Sequence, residues 1–276
     1  MPLKQRENPF LSNTFKLWLV AVVFLLTFFH LYSLYHYPQA NIVSNEILLG
    51  AVLVLVGYLW TQELRDRYRL QNINEALVKA QGQLEHAEID TISTLVLTEE
   101  AKDPYVRGHS KRVTRCAIEI AQELGLPESE LKVIERAGIL HDLGKIGISD
   151  SILHKPDKLN QEEWVIIKKH PQRAVEILEP LKFLSREKGM IGHHHERFDG
   201  KGYPDGLKGE AIPLGARILA VADTFDAMNS ERPYRKSLPE DVIISELKNG
   251  CGTQFDPHIV DIFLNLLKTK PSLWER

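Results

Sequence analysis

The sequence predicts an all-α protein, and three observations carry that prediction. Apolar residues recur at three- and four-residue steps along most of the chain after residue 60. No alternating strand pattern of useful length occurs, and turn formers fall in short clusters between the periodic stretches. The 276 residues are enough for one good-sized domain and an appendage, and the longest apolar runs all fall before residue 61.

That N-terminal part predicts two transmembrane helices. No lysine or arginine occurs from Leu17 to Leu64. Leu17–Tyr37 is long enough as a helix to cross a hydrocarbon core of ~30 Å, and Tyr32, Tyr35 and Tyr37 resemble an interfacial aromatic belt. Pro38 begins a polar turn, and Ile47–Trp60 is a second, shorter apolar run that needs residues 42–46 or a thinned bilayer to complete a span. Lys4, Arg6 and Lys16 precede the first run, and Arg65, Arg67 and Arg69 follow the second. The cationic-inside rule then predicts a hairpin over residues 1–62 with both ends in the cytoplasm, a multi-pass protein of the inner (cell) membrane with its C-terminal domain cytoplasmic. A cleaved signal peptide is disfavoured, because no small-residue cleavage site follows the apolar core.

Residues 63–95 predict a helical connector. Leu70, Ile73, Leu77, Ala80, Leu84, Ala87, Thr91 and Thr94 form a heptad seam, which suggests a parallel coiled-coil homodimer. The seam weakens toward alanine and threonine, and a single amphipathic helix packed on its own domain is the alternative reading.

Residues 96–276 predict a helical domain. His109–Leu124 presents Val113, Ala117, Ile120 and Leu124 on one face, with Gly125 to stop it. Leu131, Ile134, Ala137 and Leu140 continue a 3.6-residue period into His141. Asn160 followed by Glu163 resembles a capping box ahead of Trp164–Lys169, and Leu214–Met228 turns Ile218, Ala222 and Phe225 inward. A net charge of −3 gives no support to binding of polymeric nucleic acid. The two cysteines, Cys116 and Cys251, lack a CxxC partner and read as buried, inert thiols in a reducing compartment.

Seven of the eleven histidines fall between His109 and His195, three of them consecutive. His141 and Asp142 are adjacent, and neighbours on a helix point about 100° apart. One cation can therefore take the imidazole while the carboxylate reaches a second. His109, His170, His194, His195 and Asp223 lie on or at the ends of predicted helices, and buried polar groups of this kind need a shared partner. The nearest approach to a phosphate loop, Gly138 to Gly144–Lys145, has the wrong spacing and Ile146 where Ser or Thr belongs.

The ordered segments HDLGKIGISDSILHKPDKLNQEEW, the His170–Pro171 pair, HHERFDGKGYPDGLKG, ADTFDAMNSERPYR and GTQFDP resemble the HD-GYP family of HD phosphohydrolases, from about Thr98 to Phe263. The resemblance implies a helical bundle with metals in its core and hydrolysis of cyclic di-GMP to linear pGpG, with GMP as a further possible product. It implies His109, His141, Asp142, His170, His194, His195 and Asp223 as ligands of two divalent cations, with Asp142 the bridge and His193 outside the set. Imidazole and carboxylate ligands without thiolate suit iron or manganese. Lys145 is implied as the cation that neutralises developing phosphoryl charge, and Arg232 and Arg235 as substrate-phosphate contacts. Tyr203, in the turn-rich GKGYPDG stretch, is a candidate wall of the pocket.

The chain also departs from the family. Tyr105 stands where members with a third metal carry glutamate, which favours two metals, and Ser149 and Ala174 replace a frequent proline and glycine. Two rival functions stay open: a catalytically silent cyclic-dinucleotide receptor signalling through its coiled coil, and a hydrolase of another substrate, such as cyclic GMP-AMP or a nucleoside monophosphate.

Overall fold

A computed structural model describes residues 9–36, 42–102, 108–155, 157–231 and 236–275. The chain divides into two compact units, Met1–Glu85 and His86–Arg276. Among the described residues there is no β-strand, so the all-α prediction holds. The first helix, α1, covers Pro9–His36, and α2 runs from Ile42 to Lys102.

The predicted membrane spans are corrected by the structure. Among the described residues, no helix is long and apolar enough to cross a membrane. In α2 the apolar run Ile47–Trp60 is followed by Glu63, Arg65 and Asp66 before it reaches spanning length. The expected multi-pass placement falls with the spans. Residues 37–41, the expected outer loop, lie outside the described residues.

The connector is helical throughout. Leu70, Ile73, Leu77 and Leu84 of the heptad seam are exposed, while Ile92, Leu95 and Val96 near the end of α2 pack on the core of the second unit.

That second unit is a helical bundle: α3 (His109–Glu123), α4 (Glu128–Leu140), α5 (Asp150–Leu153), α6 (Gln161–Ile167), α7 (His170–Leu178), α8 (Ser185–His193), α9 (Leu214–Asn229), α10 (Glu240–Gly250) and α11 (Pro257–Thr269). The period read in the sequence marks the buried stripe of α3: Val113, Ala117 and Ile120 are inaccessible to solvent. Gly125 ends the helix, and Leu126 N–H closes the turn on the Ala121 carbonyl at 3.1 Å. Pro127 and the acidic Glu128 and Glu130 open α4, where acids complement the helix dipole.

The capping box of α6 forms in both directions. Glu163 N–H donates to Asn160 Oδ1, and Asn160 N–H donates to Glu163 Oε2, each at 2.8 Å. The helix begins at Gln161, earlier than the apolar pattern indicated, because the cap and not the first apolar residue sets its start. Cys116 is buried, its thiol pushed up to about 12 by burial, whereas Cys251 is half-buried at the end of α10, where the helix stops and cover is incomplete.

α3 packs on α4 and α9, α4 and α9 both pack on α8, and the 3-10 turn Leu143–Gly147 packs on α7. That last contact sets up the site. A Cβ on Gly144 would lie 1.9 Å from the His170 carbonyl oxygen and 2.7 Å from the Ala174 nitrogen, so only glycine lets the turn lie against the first turn of α7. Replacing Gly144 by alanine is expected to cost about 1–3 kcal/mol of stability, since backbone must move to relieve the overlap. Urea denaturation of the variant checks this, and an unchanged midpoint would mean that the contact is not obligatory.

Candidate metal centre

The seven residues come from helix termini and one helix interior. His109 opens α3, His141 and Asp142 follow the end of α4, and His170 opens α7. His194 and His195 follow the end of α8, and Asp223 lies within α9. All seven converge. Ligand atoms of His170, His194 and His195 lie within 4.8 Å of one another, as do those of His109, His141 and Asp223, and those of His141, Asp142 and His194. His109, His141, Asp142, His170 and His194 are buried, and His195 and Asp223 are half-buried.

Asp142 lies between the groups. Its Oδ1 is 3.3 Å from His170 Nε2, and its Oδ2 is 3.7 Å from His109 Nε2 and 3.6 Å from His141 Nε2. Asp223 Oδ1 adds a second carboxylate on one side only, 3.3 Å from His109 Nε2 and 4.0 Å from His141 Nε2. Lys145 Nζ donates to Asp142 Oδ2 at 2.5 Å.

The imidazoles are oriented from behind. Nδ1 of His141, His170 and His194 faces the carbonyls of Gly138, Ile167 and Ile191 at 2.8, 2.8 and 2.6 Å, and Nδ1 of His109 faces Asp226 Oδ2 at 2.7 Å. With Nδ1 as the donor, the Nε2 of His141, His170 and His194 is left as a lone pair aimed into the cluster, the form a metal ligand needs. The Nε2 of His141 is fully buried with no hydrogen-bond partner among the described residues. A buried polar atom costs free energy unless something occupies it, and a cation meets that need.

Charge points the same way. Burial lowers His141 and His194 below the ordinary histidine value, with neighbouring imidazoles adding to the effect at His194, and lowers His195 to about 4. All three are therefore neutral and able to coordinate. Burial works against the charges of Asp142 and Asp223, yet both carboxyls are held well below the usual range, Asp142 by Lys145, His141 and His170, and Asp223 by His109 and His141. His109 is the exception. Burial opposes its charge, but Asp223 and Asp226 outweigh it and raise it to about 9.

His193 points elsewhere, its Nδ1 on the Gly189 carbonyl at 2.8 Å and its Nε2 on Asp205 at 3.0 Å. Tyr203 lies against the centre, its ring centroid 5.0 Å from that of His195 at 31°. Its loop is folded tightly back: a Cβ on Gly202 would lie 2.3 Å from Arg197 N, and Glu196 Oε1 accepts the Asp205 N–H at 2.7 Å. Lys168 Nζ sits 5.4 Å from the centre of the Tyr203 ring. Tyr105, Arg232 and Arg235 lie outside the described residues.

Sequence reasoning missed Asp226, Arg112, Glu196 and Lys168. Asp226 and Arg112 had a faint signal, since Asp226 follows Asp223 by one helical turn and Arg112 follows His109 by one. Their pairing across 114 positions had none.

Residues 98–259 match the family model described as HD domain. The chain belongs to the HD domain family, in its HD-GYP branch. It is 41% identical over 200 residues to the cyclic di-GMP phosphodiesterase response regulator RpfG of Xanthomonas campestris pv. campestris, covering 72% of this chain and 53% of the relative. It is 42% identical over 161 residues to 3'3'-cGAMP-specific phosphodiesterase 3 of Vibrio cholerae, covering 57% of this chain and 34% of that protein. The chain thus spans about half, or less, of the length of these relatives. Among solved structures, a cyclic GMP-AMP specific phosphodiesterase of Vibrio cholerae superposes with a TM-score of 0.53 at 21% identity, over 67% of this chain and 50% of that one, which shows the fold.

The raised His109 leads to a measurable outcome. At pH 7 the imidazole carries two protons, and a cation binding at Nε2 must displace one. Uptake is expected to release about one proton there, and none once pH exceeds the His109 value of about 9. Calorimetry in buffers of differing ionisation enthalpy measures this, and zero release at pH 7 would count against the assignment.

Proposed function

We propose that the chain is a metal-dependent phosphodiesterase that hydrolyses cyclic di-GMP to linear pGpG. The observation that carries this reading is the position of Asp142, whose two carboxylate oxygens face two separate groups of imidazoles. In this reading His109, His141, Asp142 and Asp223 would hold one divalent cation, iron or manganese, and Asp142, His170, His194 and His195 would hold the other. A cation pair supplies water acidified enough to attack near neutral pH and draws charge from the phosphoryl oxygens.

The chain's own residues do the rest. Asp142 sets the spacing of the two groups of ligands. Lys145, on the rim of the centre and tied to Asp142 Oδ2, swings its ammonium onto the phosphoryl group as negative charge builds there. Tyr203, ring against His195, walls one side of the cleft and keeps that imidazole in place. Arg232 and Arg235 are proposed as forks for the phosphate oxygens. The activity for which the Xanthomonas relative is named supports cyclic di-GMP as substrate.

A second reading is favoured by one specific observation: the Vibrio cholerae relative of similar identity is named for 3'3'-cGAMP. The two are separated by incubating the full chain, loaded with Mn²⁺ or anaerobically with Fe²⁺, with each dinucleotide and identifying products by chromatography. Faster turnover of cyclic di-GMP with pGpG accumulating supports the first, and a preference for the mixed dinucleotide supports the second. Binding of either without a linear product would instead make the protein a receptor.

Two substitutions separate the proposed roles. Asp142→Ala removes the shared ligand and is expected to abolish activity together with stoichiometric metal, as quantified by atomic emission; two cations retained would defeat the bridging assignment. Lys145→Ala is expected to keep both cations and lower kcat by about 10²–10³-fold, the usual scale for losing one transition-state donor. Unchanged kcat would remove Lys145 from the chemistry.

A further inference from the structure

The two halves of the centre are not equivalent. On the His170 side, His170 and His194 are backed by peptide carbonyls, and among the described residues the carboxylate facing them is the shared Asp142. On the His109 side, Asp223 adds a carboxylate of its own, and His109 alone among these histidines is backed by a carboxylate, Asp226. That carboxylate is held firmly. Arg112 Nε donates to Oδ1 at 2.6 Å and Arg112 Nη2 to Oδ2 at 3.1 Å, and Ser230 Oγ donates to Oδ2 at 3.1 Å. Arg112 Nη2 also reaches Ser230 Oγ at 3.1 Å, closing a ring of bonds around Asp226, which is 2% exposed.

We propose that Asp226, clamped by Arg112 and Ser230, is a positioning residue that makes the His109 subsite hold its cation more tightly than the His170 subsite. The inference rests on the two-cation reading above. A carboxylate behind an imidazole fixes its ring plane and makes the coordinating nitrogen a stronger donor than a peptide carbonyl does. Arg112 offsets the charge of Asp226, so the effect passes through the His109 ring and not through net charge at the cation.

The test is calorimetric titration of the metal-free full chain with Co²⁺ alone. Wild type is expected to show two binding events of unequal affinity. In Asp226→Asn the tighter event should weaken by about 10–100-fold while the weaker stays in place. Arg112→Gln, which keeps the carboxylate but loosens it, should weaken the same event by less, and it decides the matter if circular dichroism shows Asp226→Asn unfolded. Two events of equal affinity in wild type, a joint shift of both, or a shift of the weaker alone would overturn the role of Asp226. Uptake of a single cation by wild type would overturn the two-cation reading and this inference together.

Discussion

The whole centre depends on holding one buried carboxylate, Asp142, between imidazoles that approach from three directions. A carboxylate that is 2% exposed is costly to bury, and the Lys145 ammonium bonded to it offsets part of that cost. The fold answers that constraint. The 3-10 turn after α4 brings Asp142 against the start of α7, and glycine at 144 lets the two backbones touch. α3 and α9 meet so that His109 and Asp223 close the opposite side. The apolar core of these helices, Val113, Ile120, Ile134, Leu140, Ile218 and Phe225 among them, therefore sets the geometry of the ligands.

Much of this was legible in the sequence, for physical reasons that differ by feature. The helix faces showed because burial on one side leaves a 3.6-residue period, and the capping box showed because Asn160 and Glu163 satisfy each other within one turn. The seven clustered groups showed because polar residues on apolar helix faces are otherwise expensive, and the ordered motifs gave their register. Asp226 and Arg112 did not show, since nothing local distinguishes a carboxylate that backs a ligand from one that serves as a ligand. Hydropathy misled at the N-terminus, where apolar character alone suggested spans that the described helices do not provide. The exposed seam of α2 shows the converse limit: a heptad pattern marks an apolar stripe without saying what covers it.

The loop from Gly200 to Gly206 links local chain chemistry to the centre. Its glycines let it fold back on Glu196 and Arg197, and the result is an aromatic ring laid on His195. Glu196 ties the loop down by accepting from Asp205, and His193 bonds to the same Asp205 from the end of α8. Of three consecutive histidines, one thus serves the scaffold of the loop while its two neighbours face the centre.

Three of the imidazoles take their orientation from the carbonyl three residues earlier, Gly138 for His141, Ile167 for His170 and Ile191 for His194. A peptide oxygen is present whatever side chain its residue carries, so the tautomers of His170 and His194 do not depend on side-chain chemistry at 167 and 191, whereas a Cβ at Gly138 would lie 2.6 Å from Thr114 Oγ1. The same economy makes each ring and its support part of one local turn, which tends to survive or fail as a single piece. Mutational fragility in the orientation of the centre is thereby concentrated where support arrives from a distant side chain.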